Sequence, residues 1–316
     1  LKFQKNGKVV RGVGGLYEVR IDENERLLVR AKGVLKQDAG KVLIGDNVTV
    51  IGDDAVPDDI VISAIAPRQN ALIRPPMANL DMLFAVFAVE KPEPALETVD
   101  KLLSIAVYNK ITPVVVLTKT DLSETLTDTY RQIYEKAGFR VFVTCAKKGE
   151  NEGVNALKAF IEEHLSNGKT AAFAGASGVG KSTLLNAVFP GLSLATGNIS
   201  ARIERGKHTT RTVELFECEK GSAATGFLAD TPGFSLLDFE HFDFFALDDL
   251  LDTFPDIARY RGKCRYVDCA HVGEGAAECA VAKAEADGTL SPSRLSSYRS
   301  LYKTLKSKTA YCKDKK

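Results

Sequence analysis

The chain has 316 residues, 45% of them hydrophobic and 26% charged, and its 42 Lys and Arg against 41 Asp and Glu leave a net charge of +1. This is the balance of a globular protein with two or three domains. It excludes a global attraction to nucleic acid or membrane, so any such attraction must come from a local patch. The longest apolar run, Met82 to Val89, stops at Glu90, far short of the about 18 residues that a membrane-spanning helix needs. The first residues, Leu1 to Lys5, carry no signal-peptide core, so a cytoplasmic location and no membrane contact are expected. Six Cys in a chain of this length do not make a disulfide scaffold, and three of them cluster with a His, which points to metal in a reducing compartment.

In chain order, residues 1–66 read as five short strands, Gly7–Gly12, Leu16–Ile21, Arg26–Ala31, Asn47–Ile51 and Ile60–Ile65, separated by Gly-rich turns. That pattern suggests a small OB-type barrel. Its interleaved Lys and Arg fit either an RNA-binding face or a solvated exterior. Arg68 to Pro76, with its proline pair, reads as a connector. Strands are then expected at Asp81–Val89, Ile111–Leu117, Phe139–Thr144, Thr170–Ala174, Val213–Cys218 and Gly226–Ala229. Helices are expected at Ala95–Lys110, Ser123–Ala137, Val154–Leu165 and Thr183–Phe189, with Ser123 as an N-cap and Gly138 as a stop. Alternating strands and helices give an α/β fold with a doubly wound sheet over residues 67–236. The remainder, 237–316, opens with an acidic segment, Asp238 to Asp256, and closes with helices at Ala276–Ala286 and Pro292–Lys306. Residues 291–316 hold eight Lys or Arg against one Asp, which reads as a solvated helix face and frayed tail or as an RNA-facing tail.

The sharpest motif is Gly175-Ala176-Ser177-Gly178-Val179-Gly180-Lys181-Ser182, which matches G-x-x-x-x-G-K-[ST]. An apolar strand precedes it and a helix opening with Thr183 comes after it, which is the setting the motif requires. Its glycines let backbone N–H groups close around a phosphate, and the helix N-terminus adds partial positive charge at the same point. Lys181 is expected to reach the β- and γ-phosphates, and the Ser182 hydroxyl to bind Mg²⁺.

Three further stretches bear on the nucleotide. Thr118-Lys119-Thr120-Asp121 resembles the N/T-K-x-D guanine motif of GTPases, with Thr118 where Asn is commoner, so that one hydrogen-bonding role is weakened. A carboxylate there can accept from both N1–H and the exocyclic amine of guanine, a pair that adenine lacks. Thr144-Cys145-Ala146-Lys147 resembles the S-A-K loop, with Cys145 in the place of Ser and the Ala146 N–H aimed at guanine O6. Asp230-Thr231-Pro232-Gly233 resembles the D-x-x-G of a second switch, Asp230 serving Mg²⁺ through water and the Gly233 N–H serving the γ-phosphate. Lys207-His208-Thr209-Thr210 lies where a first switch should supply a Mg²⁺-binding Thr, either Thr209 or Thr210. The water-orienting Gln that often comes after D-x-x-G is replaced by Phe234. Intrinsic hydrolysis should therefore be slow, and His208 is the best local substitute as a catalytic group beside Lys181. In ordinary small GTPases the phosphate loop comes first and the guanine loops last. Here 118–121 and 144–147 precede it, which is a circular permutation. It places the second switch at the exit of the GTPase domain, covalently joined to the C-terminal module, and loss of the γ-phosphate is expected to let that module move.

Cys264-x4-Cys269-x-His271-x7-Cys279 offers three thiolates and an imidazole, a set suited to one closed tetrahedral structural Zn²⁺. A permuted GTPase between an OB-like barrel and this cluster resembles the ribosome small-subunit-dependent GTPase A (RsgA) family over nearly the whole chain. The resemblance implies GTP hydrolysis to GDP stimulated by the small ribosomal subunit, a role in its late maturation, and RNA contacts from the barrel and the zinc module. A monomer is expected. Two other readings compete: an RNA-binding assembly factor in which nucleotide is structural, and an ATP-using P-loop enzyme.

Overall fold

The computed structural model describes residues 2–33, 41–53, 56–146, 152–189, 213–218, 226–230, 239 and 241–313. The chain divides into two compact units. One comprises Leu1–Asp81, Glu162–Phe173 and Ala195–Gly233, and the other Met82–Ile161, Ala174–Leu194 and Phe234–Lys316.

In the first unit, β1 (Lys2–Val13), β2 (Leu16–Arg20), β3 (Arg26–Ala31), β4 (Asn47–Asp53) and β5 (Val56–Ile65) form a closed barrel in the order β1-β2-β3-β5-β4. Alternation explains it. Val9, Val19, Val29, Val48, Val50 and Ile62 are buried, while Lys8, Glu18, Arg20, Arg30, Asn47, Thr49 and Ser63 beside them are not; Val10 is buried as well, where the β1–β2 register shifts. A side chain at Gly7 would run into the Arg20 carbonyl, so β1 can pass this close to β2 only as glycine. The connector is anchored rather than loose. Arg68 donates Nε to Asp46 Oδ1 at 2.7 Å and Nη2 to Oδ2 at 2.8 Å, and Asp46 is fully buried. Beyond it, β6 (Ala71–Leu72) and β7 (Met77–Ala78) form a small hairpin around the proline pair.

β8 (Met82–Ala88), β9 (Thr112–Thr118), β10 (Arg140–Val143), β11 (Thr170–Ala174), β12 (Glu214–Cys218) and β13 (Gly226–Asp230) make a sheet of order β10-β9-β8-β11-β13-β12. β8–β9, β9–β10 and β11–β13 pair in parallel, and β12–β13 antiparallel. All of β8 and all of β11 are buried, as expected of parallel strands covered on both faces. The helices are α1 (Leu96–Tyr108), α2 (Glu124–Lys136), α3 (Glu152–His164) and α4 (Lys181–Val188). Ser123 caps α2 by accepting from the Leu126 N–H at 3.2 Å.

The barrel grips the sheet strand β12. Glu217 accepts from Arg20 Nε and from Arg26 Nη2, each at 2.8 Å, and Lys8 and Arg20 lie over the Phe227 ring of β13. β13 ends at Asp230, the first residue of the D-x-x-G stretch.

In the second unit the acidic segment forms a 3-10 helix, Leu247–Thr253, leading into the short α5 (Pro255–Ala258). α6 spans Ala280–Ala286 and α7 Pro292–Lys313. α6 starts four residues later than expected because Cys279 takes the N-cap position, its sulfur accepting from the Ala282 N–H at 3.5 Å. The basic α7 is not simply a solvated face. Arg294 is 1% exposed. It donates to Asp100 Oδ1 of α1 at 2.6 Å and to both oxygens of Asp256 at 2.8 and 3.0 Å, and its guanidinium lies 4.7 Å from the Phe254 ring centre and 5.3 Å from that of Phe139. Burial alone would lower the Arg294 pKa, yet the two carboxylates hold it above its ordinary value. Burial also raises Asp100, so the trio holds together only as a trio.

Arg294→Ala leaves two buried carboxyl groups without their cation and is expected to lower the unfolding free energy by about 3–5 kcal/mol. Urea titration measures it, and a loss under about 1 kcal/mol contradicts this account.

Candidate functional site

The phosphate-loop sequence runs from the C-terminal end of β11 into α4. Gly175 passes directly over β8, where a Cβ would collide with the Val86 carbonyl. Gly178 and Gly180 have φ of 78° and 96°, and Gly180 is the N-cap of α4. Ala176, Ser177 and Gly178 are exposed, Ser182 is half-buried and Val179 is buried. Lys181 Nζ donates to the carbonyls of Gly175 and Ala176, both at 2.8 Å, which lays the ammonium across the loop.

The two guanine-type loops leave the ends of β9 and β10. Thr118 is 4% exposed, and its hydroxyl lies 2.5 Å from the Val179 carbonyl and 3.2 Å from that of Phe87. A hydroxyl has one proton, and the shorter contact takes it. Thr118 therefore straps the end of β9, from which the Lys119–Leu122 turn departs, to the phosphate-loop sequence. Lys119 has φ of 53° and starts a 3-10 turn, Thr120–Leu122, that turns Asp121 outward. The Thr120 hydroxyl donates to the Thr144 carbonyl at 3.2 Å, and the Thr144 N–H and hydroxyl both donate to the Leu117 carbonyl at 2.8 Å, so the two loops are pinned side by side. Cys145 Sγ lies 3.1 Å from Asp121 Oδ1.

Between these loops is a cavity of about 330 Å³ lined by Thr118, Lys119, Asp121, Leu122, Cys145, Ala146, Gly180 and Thr183. Volume, carboxylate and apolar walls suit a planar base with hydrogen-bond donors on one edge. A larger and more open groove along α7, lined by Arg299, Lys303 and hydroxyl side chains, holds none of the motif residues. Lys147, His208, Thr209, Thr210 and Gly233 lie outside the described residues. Asp230 is described only as the last residue of β13.

The cysteine cluster assembles. Donor atoms of Cys264, Cys269, His271 and Cys279 all lie within 4.8 Å of one another. His271 Nδ1 is 3.5 Å from Cys264 Sγ and 3.4 Å from the sulfurs of Cys269 and Cys279, and Cys264 Sγ is 3.9 Å from Cys279 Sγ. A tetrahedral ion with bonds of about 2.0–2.3 Å requires edges of about 3.5–3.8 Å, so the cluster fits Zn²⁺. Burial lowers the His271 pKa, which keeps the ring a neutral donor. Burial, with Cys264 and Cys279 beside it, pushes the Cys269 thiol up to about 12. A dication at the centre reverses that balance.

One surface escaped the sequence reading. Arg259, Arg261, Lys263 and Arg265 are exposed, with Arg259 and Lys263 over the Tyr260 ring and Arg265 over that of Tyr266, and Val267 is fully exposed at the tip of the cysteine loop. The signal was available as four cations and two tyrosines between residues 259 and 266.

A mostly parallel sheet that carries the glycine phosphate-loop motif, with the guanine-type motifs earlier in the chain, defines a circularly permuted P-loop protein. The family profile described as "RsgA GTPase" matches residues 65–240, and that described as "RsgA N-terminal domain" matches residues 6–56. Relatives named "Small ribosomal subunit biogenesis GTPase RsgA" include one from Agathobacter rectalis, 34% identical over 96% of this chain and 99% of its own, and one from Alkaliphilus metalliredigens, 37% identical over the same shares. Among solved structures, YjeQ from Thermotoga maritima matches with a TM-score of 0.74 at 31% identity, covering 96% of this chain and 99% of its own. YloQ, described as a circularly permuted GTPase, matches with a TM-score of 0.71 at 30% identity, covering 97% and 96%. The chain belongs to the RsgA GTPase family, and it is an enzyme of the GTPase class. No helix among the described residues is long and apolar enough to cross a membrane.

Thr118→Val removes the strap and leaves the Val179 carbonyl buried without its donor. GDP affinity should fall about tenfold or more, while Thr118→Ser should stay within about threefold of wild type. Titration with a fluorescent GDP analogue reads both.

Proposed function

We propose that the chain binds GTP in the cavity between the 118–122 and 145–146 loops, hydrolyses it to GDP and phosphate, and acts as a switch in late maturation of the small ribosomal subunit in the cytoplasm. The observation that carries the reading is the Thr118–Val179 hydrogen bond, which sets a base-reading carboxylate and a phosphate loop in one frame. The names of the relatives support the ribosomal part. In this reading Asp121 accepts from N1–H and the 2-amino group of guanine, Lys119 lies along the base, and the N–H of Ala146 meets O6. Backbone amides from Gly175 to Thr183 hold the phosphates, and Lys181 neutralises the β,γ-bridging charge. Mg²⁺ supplies charge neutralisation to the phosphates, with Ser182, Asp230 and Thr209 or Thr210 to hold it. Lys147 and Gly233 complete the base and γ-phosphate contacts.

His208 is the proposed group that orients the attacking water once the ribosome orders the first switch. Cys264, Cys269, His271 and Cys279 hold a structural Zn²⁺. The exposed cations around Tyr260 and Tyr266, together with the barrel, are the proposed contacts to ribosomal RNA. The protein works as a monomer. The buried Arg294 trio bears on how the switch moves: α7 is held against α1, so the movement expected of the downstream module is not a hinge between these two helices.

Three measurements test this. With purified small subunits, GTP turnover should rise steeply, with little response to large subunits and none with ATP as substrate. A flat response to small subunits, with GTP bound, favours a structural nucleotide. His208→Ala should keep GDP binding and lose most of the stimulated rate, about 10²-fold or more. Chelation of the metal should release one Zn²⁺ per chain and make the cluster's three thiols titratable. It should also weaken binding to small subunits, read by co-sedimentation.

A further inference from the structure

Two arginines of the barrel and one glutamate of β12 have no part in the proposed reaction, yet they meet on the strands that lead to Asp230. β12 is the last strand of the sheet and pairs residue by residue with β13, Glu217 opposite Phe227 and Glu214 opposite Asp230. Arg20 of β2 touches both members of one such pair. Its Nε donates to Glu217 Oε1 at 2.8 Å, and its guanidinium lies 5.5 Å from the Phe227 ring centre. Arg26 of β3 donates Nη2 to the same oxygen at 2.8 Å and Nη1 to Glu18 at 2.9 Å. Lys8 of β1 continues the row. Its Nζ lies 5.6 Å from the Phe227 ring centre and donates at 3.5 Å to the hydroxyl of Thr170, the β11 residue paired with Phe227. Toward the Asp230 end of β12, Arg11 lies 4.0 Å from Glu214. The side chains of Arg20 and Glu217 are 14% and 21% exposed, so their bond is screened less than a surface ion pair.

We propose that Arg20, Arg26 and Glu217 are positioning residues for Asp230: by gripping the Glu217–Phe227 pair, the barrel sets where β13 ends and so how well the triphosphate state holds Mg²⁺. This rests on the reading of Asp230 as a Mg²⁺ group. Asp230 is three residues beyond Phe227, about 10 Å along an extended strand. A strand at the edge of a sheet is paired on one side, so its register is held less firmly than that of a strand flanked on both. Here the barrel supplies the missing side with charge-assisted bonds in place of a further strand. Mg²⁺ demands near-ideal octahedral geometry, and a binding constellation works only when held within about 0.5 Å. A small displacement of β13 is therefore costly to the metal-bound GTP state. It costs little to GDP bound without metal, which in this reading relies on the base loops and the phosphate loop.

The test uses the full chain with its zinc. Binding of a non-hydrolysable GTP analogue is titrated with Mg²⁺, and GDP binding is measured without added Mg²⁺. Glu217→Gln and Arg20→Gln are each expected to raise the half-saturating Mg²⁺ concentration roughly three- to tenfold, with GDP affinity kept within about twofold of wild type. Arg20→Lys keeps a cation beside Glu217 and over Phe227, and should stay within about twofold on both readouts. The double variant should be no worse than the weaker single one, because both remove the same bond. Should the glutamine variants at these two positions fail to fold, Arg26→Gln carries the test. It removes one donor from Glu217, leaves Arg20 in place, and should raise the Mg²⁺ requirement about twofold. A lowered melting temperature with wild-type Mg²⁺ dependence gives the contact a role in stability alone and overturns the inference. So does an equal weakening of the analogue and of metal-free GDP. Wild-type Mg²⁺ dependence in Asp230→Asn overturns instead the reading of Asp230.

Discussion

One hydroxyl fixes the relation between the parts of the site. Thr118 is the last residue of β9 and Val179 belongs to the loop after β11, 61 residues apart, and the bond between them is buried. Without it, the phosphate loop and the base loop would be two segments that happen to lie at one edge of a sheet. With it, Val179 of the phosphate-loop sequence is bonded to the strand end from which the Asp121 turn departs. The permuted chain order is harmless for the same reason. A sheet assembles from strand ends in space, so it matters that the loops after β9, β10 and β11 reach one cavity and not which of them the chain meets first.

The edge of the sheet is tied by a different kind of contact. Glu217 receives two guanidinium donors from the barrel, and the strand that bears it pairs along its length with β13, which leads to Asp230. The geometry is charge-assisted and half-buried, so it holds β12 in register against the barrel more firmly than an exposed ion pair would. The barrel is thus joined to the strand beside the candidate switch through two arginines, Arg20 and Arg26, that a count of basic residues would assign to RNA.

Much of the architecture was legible in the sequence because it rests on local rules. The barrel strands come from alternation and glycine turns, α2 from a serine cap and a glycine stop, and β8 and β11 from unbroken apolar runs. The cysteine cluster was readable from ligand chemistry, and its four donor atoms come within 4.8 Å of one another. One failure comes from pairing at long range. Nothing local distinguishes Arg294 from the other cations of α7, because its partners are 38 and 194 residues away. α6 starts late because Cys279 turns its sulfur to the cluster and the Ala282 N–H at once, which overrides the helical propensity of Ala276 and Ala277. The hairpin of β6 and β7 was hidden by prolines that read as a plain linker.

The trio of Arg294, Asp100 and Asp256 makes a rigid lever of a segment that looks, in sequence, like an appendage. α1 packs under the sheet that carries the base loop, and α7 leans on the cysteine loop through Tyr298, which donates to the Ala270 carbonyl, and Arg299, which donates to that of His271. The cysteine loop is therefore tied through one helix, by hydrogen bonds at both ends, to the helix that packs on β8 and β9. Truncation near Pro292 would not trim a tail. It would strand two acids in an oily interior and unseat the frame from below.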